Sequence, residues 1–362
     1  MKPTFDLPNP PVGFESMTDA PLANTMNLSV CAGRLLRIYS AANALAEPIV
    51  RDEWLSDPNT LILGGGSNIL FVSERIDKVL ALANSEYGAI ETGDHIRVYA
   101  DAGVGLDQWV RWTAAQGWYG LERLAEIPGT VGAAPIQNVG AYGAQLSDVL
   151  DSIELWDRQN QEYALWHPAE CALRYRHSRF KDEPGRWLIL RVWARLRKIA
   201  PADWPPLEYP GLQAAAESFL YPDKRDVRSL TASELANIVT QVRLQKLPDW
   251  RGAEIGSNGS FFQNPIVAEA EAGRLRNQWP QIPIYPIADS SHQKLSAGWL
   301  IEQAGWRGKT LGAAGMSAQH ALVLVNLGGA KGTELWQLAQ QVQSDVWERF
   351  GVRLEPEPLI LK

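Results

Sequence analysis

The sequence predicts a protein of mixed α and β structure that is long enough to form two or three domains. Two observations support this fold class. Hydrophobic residues make up 46% of the 362 residues, as is usual for a chain that buries a full core. Short apolar runs alternate with patterns of helical period along most of the chain, which is typical of proteins that combine sheets with helices.

The N-terminal residues 1–22 precede this alternation. They are rich in proline and contain no apolar core, so we expect a disordered or loosely attached arm and not a signal peptide. No run of about eighteen apolar residues occurs in the chain, so we expect no membrane insertion.

Charge and cysteine content narrow the functional classes. With 34 Lys and Arg against 41 Asp and Glu, the net charge is −7, which argues against a nucleic-acid binder but permits a local basic site for a small anion. Cys31 and Cys171 form no CxxC pair, which favours reduced thiols and a cytoplasmic location.

The apolar patterns predict the elements of the first two thirds in order. Strands are predicted at residues 60–63, 78–83, 95–100, 151–157 and 187–196. Between the third and fourth strands a helix ends near Gly117, and its buried face is formed by Leu106, Trp109, Val110 and Thr113. A second helix opens at Thr231, where Thr-Ala-Ser-Glu is a capping box, and its stripe is Leu235, Ile238, Val239 and Val242.

The last third begins with an irregular linker at residues 246–252. Helices are predicted near 266–279, 296–304 and 334–349, and a strand at 321–325. Leu335, Leu338, Val342 and Val346 line one face of the last helix. A final strand is expected to lead into Leu354.

Two glycine-rich stretches are candidates for ligand binding. Residues 63–71 place three glycines before two short polar residues suited to phosphate oxygens: Gly64, Gly65, Gly66, Ser67 and Asn68. A tight hairpin turn remains the alternative, and a Rossmann fingerprint is excluded because a strand follows the glycines. Residues 120–143 carry few charges and interleave glycines with small residues, which suits a flat, uncharged ligand; a buried irregular turn is the alternative.

Three further stretches carry groups that could act in chemistry. Residues 174–178 hold two arginines, which bind carboxylates bidentately, although a solvated surface pair is locally favoured. Ser260 lies beside a Phe-Phe pair, where its hydroxyl could be shielded from water; the alternative is a turn capped by Ser257 and Asn258. Prolines restrict Glu355 and Glu357 near the C-terminus, where a surface loop is the alternative.

Other sources of catalysis are excluded by the sequence. The five histidines show no HExxH or paired spacing, and no G-x-S-x-G elbow is present. Residues 305–310 do not form a P-loop, because Gln303 stands where the first glycine belongs. We therefore predict no metal site, and we expect a flavin or nicotinamide cofactor to supply the chemistry.

Taken in order, the five stretches resemble the UDP-N-acetylenolpyruvoylglucosamine reductase family, from about residue 24 to the C-terminus. The string IPGTVGAAPIQNVGAYG and the later GS-FF-NP and LEPE carry the resemblance. It implies an α+β fold, with an FAD-binding region of the vanillyl-alcohol-oxidase type in two lobes, 23–90 and 91–245. A C-terminal α+β substrate domain, 246–350, and a segment returning to the active site, 351–362, would follow.

The resemblance also implies the reaction. Bound FAD, recharged by NADPH, would reduce UDP-N-acetylglucosamine enolpyruvate to UDP-N-acetylmuramate in bacterial peptidoglycan synthesis. Arg176 would stabilise negative charge on the substrate carboxylate, Glu357 would polarise or protonate that group, and Ser260 would protonate the adjacent carbon. We expect a cytoplasmic monomer.

The remaining site residues are assigned by the same resemblance. The FAD-binding positions are Gly64, Gly65, Gly66, Ser67, Asn68, Ile127, Pro128, Gly129, Gly132, Ala133, Gly140, Tyr142 and Gly143. The substrate-binding positions are Tyr175, Tyr209, Lys246, Asn264, Arg307 and His320. Tyr209 and the long connection 197–230 indicate the type I branch. The chain departs from the type I pattern in a slightly longer loop after Lys246, in Arg307 for lysine and in His320 for glutamine.

Two other functions remain open at this point. The chain could be another flavin oxidase or dehydrogenase of the same fold, which fast oxidation of the reduced enzyme by oxygen would favour. It could also be a non-catalytic flavin or sugar-nucleotide binding module. The presence of Arg176, Ser260 and Glu357 together argues against such a module, which would not need all three.

Overall fold

The computed structural model describes residues 13–199, 207, 209–221, 225–252, 254–287 and 291–362. Its strands are β1 (Phe14–Pro21), β2 (Cys31–Ile38), β3 (Leu61–Leu63), β4 (Ile69–Phe71), β5 (Arg75–Leu82), β6 (Tyr87–Thr92), β7 (His95–Asp101), β8 (Gly140–Ala141), β9 (Ala144–Gln145), β10 (Leu150–Asp157), β11 (Glu162–Trp166), β12 (Trp187–Arg197), β13 (Gly256–Ser260), β14 (Ile266–Ala268), β15 (Ile284–Pro286), β16 (His292–Leu295), β17 (Thr310–Leu311), β18 (Ala314–Met316), β19 (Val323–Asn326) and β20 (Leu359–Leu361). Its α-helices are α1 (Ala41–Ala46), α2 (Leu106–Ala115), α3 (Pro168–Cys171), α4 (Arg179–Asp182), α5 (Pro210–Leu220), α6 (Ala232–Leu244), α7 (Glu269–Gln278), α8 (Ala297–Gln303) and α9 (Gly332–Phe350).

The chain divides into two compact units. Unit 1 comprises Met1–Pro21, Cys31–Gly65 and Ile76–Val239, and unit 2 comprises Leu22–Val30, Gly66–Arg75 and Thr240–Lys362. The division falls inside the first glycine-rich stretch, between Gly65 and Gly66.

Among its described residues, unit 1 contains the short hairpin β8–β9 and two larger sheets. The first has the strand order β1-β2-β5-β3, and the second, with the order β11-β10-β12-β7-β6, is antiparallel throughout. Alternate side chains of β2 point inwards, and Leu36 and Ile38 pack with Leu80 and Trp54 in one buried cluster. Leu188 of β12 belongs to the same cluster, so both sheets contribute to one core.

Both helices predicted in the first two thirds form as expected. The stripe of α2 is buried, and the chain leaves the helix through Gly117 at φ +76°. At Thr231 the capping box is present, because the Thr231 hydroxyl accepts the Glu234 N–H at 3.2 Å and the Glu234 carboxylate accepts the Thr231 N–H at 2.8 Å. A hydrogen bond from Arg225 lowers the pKa of Glu234 to about 2.

Among the described residues, unit 2 is built from smaller sheets, from the helices α7, α8 and α9 and from the end of α6. Its strands form the sheets β13-β19-β18-β17 and β14-β16-β15 and the parallel pair β4–β20. The predicted stripe of α9 is buried at Leu335, Leu338, Val342 and Val346. These aliphatic side chains form the core that supports the sheet of β13.

The predicted N-terminal arm was wrong where the structure describes it. Residues 1–12 lie outside the described residues, but β1 pairs with β2 along its whole length, from Phe14 opposite Ile38 to Pro21 opposite Cys31. Most side chains of β1 are partly or fully exposed. The strand is therefore held by main-chain hydrogen bonds, which leave no apolar pattern in the sequence.

Domain and element boundaries also differ from the predictions. A lobe boundary between residues 90 and 91 would cut β6, which pairs with β7, and residues 22–30 and 66–75 belong to unit 2. The predicted helix 266–279 begins as the strand β14. The final strand does not lead into Leu354 but follows it, at Leu359–Leu361. In the 197–230 connection, where residues 200–206, 208 and 222–224 lie outside the described part, the helix α5 was not predicted.

Candidate functional site

In unit 1 the two glycine-rich stretches pack main chain against main chain. A Cβ on Gly65 would lie 2.7 Å from Cα of Gly129, and a Cβ on Gly64 would lie 2.8 Å from Oγ1 of Thr130. Side chains at these glycines are therefore excluded by close packing. The two predicted FAD-binding stretches therefore lie together. They form a neutral surface made of main chain and one threonine hydroxyl.

The second stretch is irregular but fixed. The carbonyl of Gly129 accepts the Leu106 N–H at 2.9 Å, and the N–H of Gly132 donates to the Ala102 carbonyl at 3.0 Å. A short 3-10 helix, Val131–Gln137, follows. Ile127, Pro128 and Ala133 are partly exposed, as a ligand-contacting stretch requires.

A two-residue turn joins β8 to β9 at the end of this stretch. Both turn residues are left-handed, Tyr142 at φ +52° and Gly143 at φ +80°. A Cβ on Gly140 would lie 2.8 Å from the Ala144 carbonyl oxygen, so the hairpin is tightly closed. The ring of Tyr142 packs edge-on against the ring of Tyr209, with centroids 5.0 Å apart.

Arg176 contacts the same hairpin. It lies in a turn closed by two hydrogen bonds between Arg174 and His177, and its φ is +52°. Its Nη2 donates to the Gly140 carbonyl at 2.9 Å. The surface-pair interpretation therefore fails for Arg176, which is partly buried, and fits Arg174, which pairs with the exposed Asp182. Tyr175 is 40% exposed beside Arg176.

In unit 2, Ser260 ends β13 opposite Val323, after a bulge in the pairing. Gly259 adopts φ +71° there, and its N–H donates to the Ser257 hydroxyl at 3.0 Å. Phe261 and Phe262 follow, completely buried and packed edge-on at 5.1 Å. Two buried aromatic rings therefore follow Ser260 directly in the chain.

The C-terminal segment that carries Glu355 and Glu357 runs beside the same stretch of unit 2. The N–H of Glu357 donates to the Phe261 carbonyl at 2.8 Å, and the N–H of Gln263 donates to the Glu355 carbonyl at 2.9 Å. The segment is therefore not a loose terminal loop. Its main chain runs beside the residues that follow Ser260, and it continues into β20.

Asn68 joins this segment to the first glycine-rich stretch. Its Nδ2 donates to the Glu357 carbonyl at 3.4 Å, and its own carbonyl accepts the Leu359 N–H at 3.0 Å. Gly66, at φ +64°, packs its main chain on Ala23, where a Cβ would lie 2.3 Å from the carbonyl oxygen. As the sequence predicted, a strand and not a helix follows these glycines.

Three cationic or titratable side chains predicted to bind substrate come together in unit 2. Burial lowers the pKa of His320, and the positive charges of Lys246 and Arg307 lower it further, against an opposing effect of Glu302. His320 Nδ1 accepts the Leu322 N–H at 3.3 Å. The lowered pKa favours the neutral ring, and the bond accepted at Nδ1 leaves Nε2 as the nitrogen that can carry the proton and donate to an anion. Arg307 is anchored by Glu302 and by the Ala318 carbonyl, each at 2.9 Å.

Asn264 makes a hydrogen bond within unit 2, apart from the substrate contact that is predicted for it. Its Oδ1 accepts the Ala297 N–H at 2.9 Å, at the first turn of α8. A helix N-terminus leaves such N–H groups without partners inside the helix, so this contact fixes the orientation of the amide.

One buried charged pair was missed by the sequence analysis. Arg123 is 3% exposed, and its Nη1 donates to the Tyr142 carbonyl at 3.3 Å. Burial raises the pKa of the neighbouring Glu122, whose carboxylate accepts the Gly120 N–H. The signal was two adjacent opposite charges inside a stretch otherwise poor in charge.

In the described ranges, no group of three or more His, Cys, Asp or Glu side chains could hold a metal ion. No helix in the described part of the chain is long and apolar enough to span a membrane.

Comparison with known proteins identifies the family. Residues 251–361 match the model for the C-terminal domain of UDP-N-acetylenolpyruvoylglucosamine reductase, and residues 56–162 match an FAD binding domain. A protein of that name from Azoarcus sp. (strain BH72) is 42% identical over 97% of this chain and 99% of its own length. A protein of the same name from Pseudomonas putida is 46% identical over 82% of this chain and 85% of its own length.

A solved structure supports the fold. The reductase of Thermus caldophilus aligns with a TM-score of 0.64 and 21% identity, covering 96% of this chain and 99% of its own. The predicted α+β fold with an FAD-binding region of the vanillyl-alcohol-oxidase type is confirmed, as are the flavin-dependent oxidoreductase class and the FAD cofactor. The chain belongs to the UDP-N-acetylenolpyruvoylglucosamine reductase family.

Proposed function

We propose that this chain reduces UDP-N-acetylglucosamine enolpyruvate to UDP-N-acetylmuramate, using FAD recharged by NADPH, in peptidoglycan precursor synthesis. The observation that carries the proposal is the hydrogen bond between the Glu357 N–H and the Phe261 carbonyl. It brings the main chain of Glu357 beside the stretch that holds Ser260, as a reaction needing both residues requires. We further propose that the enzyme is a cytoplasmic monomer.

The residues present fit FAD. Gly64, Gly65 and Gly129 offer close-packed main chain, and Thr130 adds a hydroxyl without a charge. Main-chain N–H groups and neutral hydroxyls suit a pyrophosphate, and a flat ring can lie on a surface that has no side chains. Ser67, Asn68 and the stretch 127–143 would hold the remaining parts of the cofactor.

Bound FAD would supply hydride transfer from NADPH to the enolpyruvyl group. Arg176 would stabilise the negative charge that develops on the substrate carboxylate, an effect of roughly 3–4 kcal/mol for one well-placed donor. Glu357 would polarise or protonate that carboxylate. Ser260 would deliver a proton to the adjacent carbon, and the buried phenylalanines behind it would keep competing water away from the hydroxyl.

The substrate's other parts have proposed partners. Lys246, Arg307 and the Nε2–H of His320 would bind its diphosphate, since all three offer N–H donors and two carry a positive charge. Tyr175, Tyr209 and Asn264 would contact the rest of the sugar nucleotide.

The test begins with the cofactor. We expect the protein to purify yellow, with absorption at about 450 nm, and acid precipitation to release all the colour because FAD is held by non-covalent contacts. Anaerobic NADPH should bleach the colour, and the enolpyruvyl sugar nucleotide should restore it while a lactyl ether forms. A protein that cannot be loaded with FAD would exclude the enzyme function.

Oxygen provides the comparison that separates the competing functions. After bleaching with NADPH, air should restore the colour much more slowly than the sugar nucleotide does. Faster reoxidation by oxygen would indicate a flavin oxidase of the same fold. Bleaching without reoxidation by the sugar nucleotide would indicate a different electron acceptor.

Tyr209 is expected to contribute to substrate binding more than to chemistry. It precedes α5, is 47% exposed and keeps its ring against Tyr142. Tyr209→Phe retains this ring contact and removes only the hydroxyl. The KM for the sugar nucleotide should therefore rise, by about 2- to 15-fold for one lost hydrogen bond, while flavin reduction by NADPH stays nearly unchanged. An unaltered KM would show that the hydroxyl does not contact the substrate.

A further inference from the structure

Arg123 is a buried cation that the proposed chemistry does not use. Its side chain lies beneath the β8–β9 hairpin, and burial lowers its pKa, against the opposing charges of Glu122 and Asp148. Burying a guanidinium is costly unless it is paired and hydrogen-bonded. A buried arginine of this kind calls for a function that a small apolar residue could not perform.

The hairpin is the structure that Arg123 holds. Arg123 Nη1 donates to the Tyr142 carbonyl at 3.3 Å, and it would lie 3.7 Å from a Cβ on Gly143. Arg176 Nη2 donates to the Gly140 carbonyl on the same hairpin. Two guanidinium groups therefore bind two carbonyls of one hairpin, those of Gly140 and Tyr142.

The conformation of Tyr142 needs such support. Its φ of +52° is left-handed, a region that non-glycine residues seldom occupy. This conformation directs the Tyr142 ring against the ring of Tyr209, 5.0 Å away at 76°. A hydrogen bond to the Tyr142 carbonyl fixes the peptide plane, and with it the direction of the ring.

We propose that Arg123 is a positioning residue for Tyr209, one of the proposed substrate-binding residues. Its guanidinium fixes the Tyr142 peptide, and the Tyr142 ring in turn holds the ring of Tyr209. In this role Arg123 acts through the Tyr142 carbonyl, to which its Nη1 donates. The proposal deepens the function proposed above and rests on it.

The test removes the guanidinium and keeps its bulk. Arg123→Met should raise the KM for the sugar nucleotide and leave flavin reduction by NADPH unchanged. The rise is limited by the aromatic pair through which Arg123 acts, so we expect about 2- to 10-fold. Arg123→Lys keeps a charged donor and should restore part of the wild-type KM.

Arg158 offers a matched control. It is 6% exposed in the same unit and donates to the carbonyls of Leu55 and Asp57 at 2.8 and 2.6 Å, away from the hairpin. Arg158→Met should lower the melting temperature as Arg123→Met does, without changing KM. An equal rise in KM in both variants would reduce Arg123 to a stabilising residue and overturn the proposal.

A double-mutant comparison isolates the coupling. In a Tyr142→Ala background, which lacks the ring, Arg123→Met should produce no further rise in KM. Additive effects would overturn the proposal. If Arg123→Met fails to fold, Arg123→Lys is measured in the wild-type and Tyr142→Ala proteins instead. A rise in KM in the wild-type protein alone supports the proposal, and additive effects overturn it. A wild-type protein that the sugar nucleotide cannot reoxidise would instead refute the proposed function.

Discussion

Replacing Ser260 by alanine is expected to separate the two half-reactions. Flavin reduction by NADPH does not need the hydroxyl, whereas the lactyl product needs a proton at the substrate carbon. The variant should bleach with NADPH at close to the normal rate, and reoxidise with the sugar nucleotide about 10²- to 10⁴-fold more slowly, the usual contribution of a positioned acid. Anaerobic stopped-flow absorbance measures each half-reaction separately.

Ser257 supplies the control for this experiment. It lies on the same strand, and its hydroxyl accepts the Gly259 N–H, so Ser257→Ala makes the same atomic change at a structural position. This variant should keep both half-reactions and lose only some stability. Ser260→Cys, with a stronger acid, should recover part of the rate. Normal reoxidation of Ser260→Ala would instead assign the proton to Glu357 or to a bound water.

Gly65→Ala is expected to weaken the binding of FAD. The added Cβ would lie 2.7 Å from Cα of Gly129, and main chain cannot move aside as a flexible side chain can. Overpacking of this kind costs roughly 1–3 kcal/mol. If the strain is relieved by separating the two stretches, FAD affinity should fall by about 10- to 100-fold, as measured by titrating apoprotein with FAD.

Gly105→Ala is the matched variant in the same unit. There the nearest side-chain atom to an added Cβ is Gln108 Cβ at 3.6 Å, an ordinary van der Waals distance. Gly105 forms an isolated β-bridge with Thr130. Gly105→Ala therefore changes a residue that contacts the flavin-binding stretch without overpacking it. FAD affinity should remain close to that of the wild type. Equal losses in both variants would mean that the close approach at Gly65 has no special part in flavin binding.

Elements with their own periodic pattern could be predicted from the sequence. The stripes of α2, α6 and α9 were identified because burial on one face repeats every three to four residues. The strands β3, β5, β7, β10 and β12 were identified from their apolar runs. At Thr231 even the capping contacts could be predicted from four consecutive residues, since Thr231 and Glu234 lie within one helical turn.

Features that depend on partners distant in sequence could not be predicted. The strand β1 is held by main-chain bonds to β2, and β20 by pairing with β4, which lies nearly the whole chain away. No local pattern encodes such a partner. The same holds for Arg123, whose function becomes visible only when the Tyr142 carbonyl lies above it. The individual roles proposed for the site residues rest on family resemblance and on this geometry together.

The pairing of β4 with β20 has a consequence for biosynthesis. Asn68 and Glu357, which join the two strands, are 289 residues apart. At a translation rate of about 5–20 residues per second, the ribosome needs roughly 15–60 s to make the second after the first. All of unit 1 has been synthesised by residue 239, so its folding can begin on the ribosome. β4 lacks this pairing partner until β20 has been synthesised, so unit 2 cannot complete its folding before that point.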